Sequence, residues 1–274
     1  MLRDGASGDW IGTFAGHKGA VWSCRMDASG SLAASASGDF SVQVWDAITG
    51  ESLHQFPHKH IVKTTDFSPN SKLLATAGHE GILRIFDLTN EPNKQPPMQI
   101  VMDANTKINI GKCNWLSDTV LLTGCADGVV RFWDITGPTA PTAPANTLQT
   151  SDGAEIRDME VTRNVGALGR DILTVAAGQK VYFFDLKDHS LVHVYKMPIH
   201  FLHEGGASLH PSGKTFVAGG SDLWVRVFDF DTGKELECLK GHHGPVRCLR
   251  YSPDGKTYAS GSEDGTIRLW KTEA

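Results

Sequence analysis

The sequence contains no apolar run approaching the roughly 18 residues that a membrane-spanning helix needs, so no membrane span is expected. It also lacks a basic stretch followed by an apolar core at its start, so no secretory leader is expected. Positive charge is in deficit: 26 Lys and Arg face 31 Asp and Glu, a formal net charge of −5. That argues against general affinity for phosphate backbones and makes direct RNA binding a weak third reading. Cysteine is sparse, five residues (Cys24, Cys113, Cys125, Cys238 and Cys248), odd in number and without C-x-x-C spacing. With no N-x-[ST] acceptor either, a reducing compartment, cytosol or nucleus, is expected. The phosphate-cradling patterns G-x-x-x-x-G-K-[ST] and G-x-G-x-x-G are absent. So is any amphipathic helical stretch.

What the sequence has instead is glycine, 29 residues, and short runs of alternating apolar residues that end in an aromatic. "SVQVWD" (41–46), "ILRIFD" (82–87), "VVRFWD" (129–134), "KVYFFD" (180–185), "WVRVFD" (224–229) and "TIRLWK" (266–271) place Trp45, Phe86, Trp133, Phe184, Phe228 and Trp270 at intervals of 41, 47, 51, 44 and 42 residues. Turn sequences "DASG" (27–30), "SPNS" (68–71), "HPSG" (210–213) and "SPDG" (252–255) each precede their aromatic by a constant 17 residues, counted from the second turn residue. His17, His58, His200 and His242 precede theirs by 28. Alternating runs divided by Gly and Asp turns are antiparallel strands. A period of this length with a Gly-His start and a Trp-Asp end predicts an all-β fold, a β-propeller of WD repeats with six blades in this chain. The expected organisation is one propeller over 1–274, with repeats near 10–50, 51–90, 99–137, 148–188, 191–233 and 234–271. Proline-rich insertions at 90–99 and 137–146 account for the longer intervals.

The recurring polar residues have a structural reason to recur. A turn aspartate can accept from a histidine ring, which reaches a serine hydroxyl, which meets the indole N–H, so each buried polar group gains a partner. His17, Ser35, Asp39 and Trp45 form one such set and His242, Ser260, Asp264 and Trp270 another at the same spacing. At the acid position the other repeats carry Glu80, Asp127, Gly178 and Asp222, so the fourth has lost its acid. Ser, His and Asp also make hydrolase triads, but a catalytic set occurs once, whereas this one repeats. No catalytic residue is expected. His58 and His60 lack further ligands at metal spacing, and no metal, cofactor or small-molecule substrate is expected. The cysteines lie mostly in apolar runs and read as small core residues.

Partner contacts are expected just after the Gly-His turn, where the innermost strand begins: Trp22, Lys63, Arg157 and Arg247, with His79 projecting beside them. "PTAPTAP" (138–144) holds a P-T-A-P element, but its composition reads as a linker. The opening "MLRDGASGDWIGTFAGH" begins on an outer strand whose inner strands are not upstream. Either that strand closes a six-bladed ring by joining the blade ending at Trp270, or one repeat precedes Met1 in a longer chain; the second is favoured.

The stretches "GDWIGTFAGHKGAVW" (8–22), "HKHIVKTTDFS" (58–68), "SLHPSGKTFVAGG" (208–220) and "KGHHGPVRCLRYSPDGKTYASGSEDGTIRLW" (240–270) resemble the serine-threonine kinase receptor-associated, or Unr-interacting, family of WD-repeat proteins. The likeness runs the length of the chain and is weakest over 101–190. The resemblance implies a seven-bladed propeller and a non-catalytic adaptor found in cytoplasm and nucleus. As partners it implies the survival-motor-neuron complex with its Gemin-type proteins in spliceosomal ribonucleoprotein assembly, an Unr-like RNA-binding protein and receptor kinases, with RNA reached only through them. A second resemblance, through the "GHKGAVW" and "SGSEDG" patterns, is to the WD-repeat subunit of translation initiation factor three.

Overall fold

Short alternating runs punctuated by turns can hydrogen-bond only to one another, and in the computed structural model every regular element among the described residues is a β-strand. The structure describes all residues except 6, 90–94, 104–105, 167, 203–204 and 273–274. The strands fall into two compact units, Met1–Thr147 and Leu148–Ala274.

In the first unit β1 (Leu2–Arg3) pairs antiparallel with β2 (Trp10–Gly12), Leu2 opposite Gly12 and Arg3 opposite Trp10. Three sheets follow. β3 (Val21–Met26), β4 (Leu32–Ser37), β5 (Ser41–Asp46) and β6 (Ser52–Pro57) run in sequence order, as do β7 (Val62–Phe67), β8 (Leu73–Gly78), β9 (Ile82–Asp87) and β10 (Met98–Val101). The third holds β11 (Ile110–Trp115), β12 (Val120–Cys125), β13 (Val129–Asp134) and β14 (Asn146–Gln149), along which the chain passes into the second unit. The first two of these sheets stack through Ala34, Ala36, Val44 and Phe56 against Val62, Leu74 and Phe86, with the Phe56 and Phe86 rings 4.0 Å apart. The small residues of "LAASAS" now have a reason: β4 is covered on both faces, and Ala and Ser let neighbouring sheets approach.

The second unit holds β15 (Ile156–Val165), β16 (Arg170–Asp185) and β17 (Leu191–Phe201); β18 (Gly206–Leu209), β19 (Thr215–Gly219), β20 (Trp224–Asp229) and β21 (Glu235–Lys240); and β22 (Val246–Tyr251), β23 (Thr257–Ser262) and β24 (Ile267–Lys271). β16 doubles back on itself. The Leu186 N–H donates to Asp171 O at 3.0 Å, and Gly178 sits at the bend with φ +58°. A two-residue hairpin needs a positive φ at its first central position, which Gly supplies. The acid missing from this repeat is therefore replaced by a tighter turn. Phe183 meets Phe216 and Phe230 edge-on between the first two sheets of this unit, and Val217 and Val225 pack on Val246, Leu249 and Tyr258 between the second and third.

The predicted turns close where the sequence places them: Gly30, Ser71, Gly213 and Gly255 donate to the carbonyls of Asp27, Ser68, His210 and Ser252. Among the described residues there are six sheets of three or four strands, and the β1–β2 pair makes seven. Of the first proline-rich insertion, residues 90–94 lie outside the described residues. Within the second, Ala140 packs against the core between the β7–β10 and β11–β14 sheets. The expectation for cysteine needs correction. Cys113 and Cys125 are buried and Cys238 is half-buried, but Cys24 and Cys248 are exposed, because they lie on the outward faces of β3 and β22.

Candidate functional site

In five of the six repeats the tight turn before the strand aromatic carries a carboxylate that must find a partner. In the first repeat His17 Nδ1 lies 2.9 Å from Asp39 Oδ2 and Nε2 lies 2.8 Å from Ser35 Oγ, which also accepts from Trp45 Nε1 at 2.8 Å. In the last, His242 Nε2 lies 2.7 Å from Ser260 Oγ, which accepts from Trp270 Nε1 at 2.8 Å. His242 Nδ1 is shared there between Asp264 at 3.3 Å and Thr266 at 3.1 Å. Burial pushes the Asp39 carboxyl up, but bonds from Ser41, the Lys18 N–H and His17 more than reverse this and hold it well below the usual carboxylate range.

Where the set is incomplete, a second solution appears. Arg84, Arg131 and Arg226, each two residues before the strand aromatic, pair with the turn acids Glu80, Asp127 and Asp222 four residues upstream. Glu80 takes Arg84 in a two-pronged pair at 2.7 Å for both bonds. His58, freed from the acid, donates through Nδ1 to Phe56 O (3.1 Å), and its Nε2 lies 2.9 Å from Thr76 Oγ1. The recurring column of arginines in "ILRIFD", "VVRFWD" and "WVRVFD" was readable beforehand, and it is the signal that sequence reasoning passed over. All of these groups are consumed in holding turns. None is left poised as a reagent.

Three of the five candidate docking residues come together in the first unit. The Lys63 ammonium stands 3.2 Å from the centroid of the Trp22 ring, which is 41% exposed. His79 lies beside them: burial lowers its pKa first, and Lys63, His60 and Lys107 lower it further. His60 and His79 have ring centroids 5.4 Å apart, and Phe40 meets His60 at 5.6 Å. Phe40, His60 and Lys107 therefore belong with the predicted residues, although the sequence reading did not include them. The other two candidates lie in the second unit, each already in an ion pair, Arg157 with Glu155 at 2.8 Å and Arg247 with Glu263 at 2.6 Å.

Charges on the inner strands tie sheets together. Arg25 of β3 reaches Asp66 of β7 (3.5 Å), and Asp66 accepts from the Trp115 N–H of β11 (2.8 Å). In the second unit Arg250 of β22 grips Asp158 of β15 through two bonds of 2.6 Å and also reaches Glu160. These pairs are internal bracing. Among the described residues no cluster of three or more His, Cys, Asp or Glu could hold a metal ion. A groove of about 500 Å³ beside Leu73, Met98, Ile135 and Ala140 has one charged lining residue, Asp87, which already accepts from Thr89.

The geometry agrees with what this chain is similar to. The family "WD domain, G-beta repeat" matches residues 8–46, 50–87, 101–134 and 233–271, so its fold class is that of the WD-repeat β-propellers. The serine-threonine kinase receptor-associated protein of Dictyostelium discoideum is 46% identical over 273 residues, covering 99% of this chain and 86% of that protein. The human protein of the same name is 39% identical over 276 residues, 99% of this chain and 72% of its own length. Eukaryotic translation initiation factor 3 subunit I of Culex quinquefasciatus is more distant, 27% identical over 286 residues, 96% of this chain and 84% of that protein. Repeat chemistry, sheet pairing and near full-length identity converge: the chain belongs to the WD-repeat family, with the serine-threonine kinase receptor-associated proteins.

Proposed function

We propose that this protein is a non-catalytic adaptor that docks other proteins, and that it serves the survival-motor-neuron complex in assembling spliceosomal ribonucleoproteins. The observation that carries the adaptor reading is the fate of the polar residues. The histidine–carboxylate and arginine–carboxylate contacts at the turns before the strand aromatics recur at the repeat period, as bracing does and a reactive centre does not. The finer assignment is supported by 46% identity to a receptor-associated relative across 99% of the chain. On this reading Gemin-type proteins and an Unr-like RNA-binding protein are its partners, receptor kinases are further ones, and it works in cytoplasm and nucleus. Cell fractionation reads the location. Trp22, Lys63, His79, Arg157 and Arg247 carry the contacts.

The similarity to initiation factor 3 subunit I favours a second reading, a subunit of that factor. Affinity purification of the tagged full chain, followed by mass spectrometry, separates the two. Gemin-type proteins are expected. Recovery of ribosome-bound initiation factors in their place would overturn the first reading.

A further inference from the structure

We propose that Pro141-Thr142-Ala143-Pro144, in the loop between β13 and β14, is a docking element for a partner domain that grips an extended, uncharged chain in an aromatic-lined groove. This contact is separate from the adaptor assignment above and stands or falls without it. Three observations carry it.

The first is conformation. Each proline fixes its own φ near about −65° and keeps the residue before it out of the helical region. Over 137–144 those two restrictions cover Gly137, Ala140 and Ala143 as well as Pro138, Pro141 and Pro144. Within the tetrad only Thr142 escapes both. No residue from 138 to 145 has a positive φ, and none lies in a strand or helix up to Ala145. Among the described residues 137–144 make no backbone hydrogen bond, so their carbonyls are free to accept from a partner. An extended proline-rich chain with open carbonyls is the form that proline-reading grooves take.

The second is anchorage. The composition reads as a linker, but a linker hangs free, and this loop is held at both ends. On one side Pro138 and Ala140 line the groove beside Pro96 and Pro97, and Ala140 packs on the core between two sheets. On the other the Ala145 N–H donates to Phe132 O at 2.7 Å. The residues between these fixed points are the tetrad. A ligand ordered before it binds loses less entropy on binding.

The third is which copy is presented. The run holds two overlapping P-T-A-P elements that share Pro141. The first, 138–141, is spent on packing through Pro138 and Ala140. In the second, Thr142 and Ala143 are exposed and the two prolines are half-buried. No Asp, Glu, Lys or Arg lies between Asp134 and Asp152. The complement is therefore flat rings against the pyrrolidines and donors for the carbonyls, without ion pairs.

The test titrates the purified full chain onto an immobilised probe, the ubiquitin-conjugating-enzyme-like domain of the endosomal sorting machinery, whose groove takes Pro-Thr-Ala-Pro peptides. Binding insensitive to salt is expected, with affinity falling at least about tenfold in Pro144→Ala. Thr142→Glu alters only an exposed side chain, so it leaves the fold intact, and it should lose binding to the same degree. Pro138→Ala should bind within about twofold of wild type, because that proline belongs to the copy that is packed away. A synthetic peptide of residues 137–147 should bind about fivefold more weakly than the chain, since it must be ordered first. Absence of binding, or equal affinity in wild type, Pro144→Ala and Thr142→Glu, would overturn the proposal. So would loss of binding in Pro138→Ala with Pro144→Ala unaffected, or a peptide that binds as tightly as the chain. None of these results bears on recovery of Gemin-type proteins, which tests the adaptor assignment by itself.

Discussion

The serine hydroxyls in the two complete hydrogen-bond chains are single groups on which a ring nitrogen and a buried indole N–H both depend. Ser35→Ala leaves both His17 Nε2 and Trp45 Nε1 without their partner, and is expected to cost about 2 kcal/mol in urea unfolding. Phe40→Gly relieves a positive φ and should stabilise the fold by about 1 kcal/mol, read as a higher melting temperature. His58 gives the protein a pH dependence. Burial and then the Arg84 charge push its pKa down to about 4. The unfolded chain, with an ordinary histidine near 6.5, takes up that proton first, so stability is full above that value and declines as pH falls toward 4. The loss should approach about 3 kcal/mol. His58→Gln should flatten the urea midpoint across this window. Asp39 acts lower: its carboxyl is depressed, so its contribution persists above the ordinary carboxylate range and disappears as pH falls below it.

At the scale of strands and sheets, the arrangement turns on how each hairpin carboxylate is answered. Imidazole answers it in the first and last repeats, guanidinium in three others, and the fourth dispenses with it by making a glycine hairpin inside β16. Between sheets, Arg250 and Asp158 join β22 to β15 across β18. Burial works against the Arg250 charge, and the Asp158 and Glu160 carboxylates more than restore it. Removing the guanidinium strands a buried carboxylate. Arg250→Met is therefore expected to cost about 3 kcal/mol, and Arg250→Met with Asp158→Leu substantially less. Chemical denaturation of the single and double variants measures both. Gly206 permits this bridge, because a Cβ there would run into the Asp158 carboxyl. Gly206→Ala should destabilise the second unit through the same contact.

Across the whole molecule the cysteines report how sheets pack within each unit. Burial pushes the Cys113 thiol up to about 12 and that of Cys125 to about 11, so neither supplies thiolate near neutrality. Cys24 and Cys248 face solvent. A thiol-reactive reagent should modify these two quickly in the native protein, Cys238 slowly, and the buried pair only on unfolding. Mass spectrometry of labelled peptides against time checks the order. Rapid labelling of Cys113 in native protein would contradict the packing of the β7–β10 sheet on the β11–β14 sheet, where its Sγ meets Thr64.

Much of this was legible from residue order, because a repeat encodes itself locally. The aromatic columns, the constant spacing from turn to aromatic and the His–Ser–Asp–Trp sets depend on contacts within one sheet, where an alternation of two and a tight turn dictate who faces whom. The arginine column belonged to the same local code and went unread. Contacts between sheets are another matter. Arg25 with Asp66, or Arg250 with Asp158, join residues far apart in the chain, and their meeting depends on how one sheet stacks on the next. Stacking also settled that Cys24 and Cys248 look outward, that Arg157 and Arg247 are answered by glutamates, and that Phe40 stands beside His60. Strand and turn are chosen by each residue's own conformational preferences and its near neighbours. Exposure and charge environment are properties of a surface, and a surface exists only once the sheets have packed.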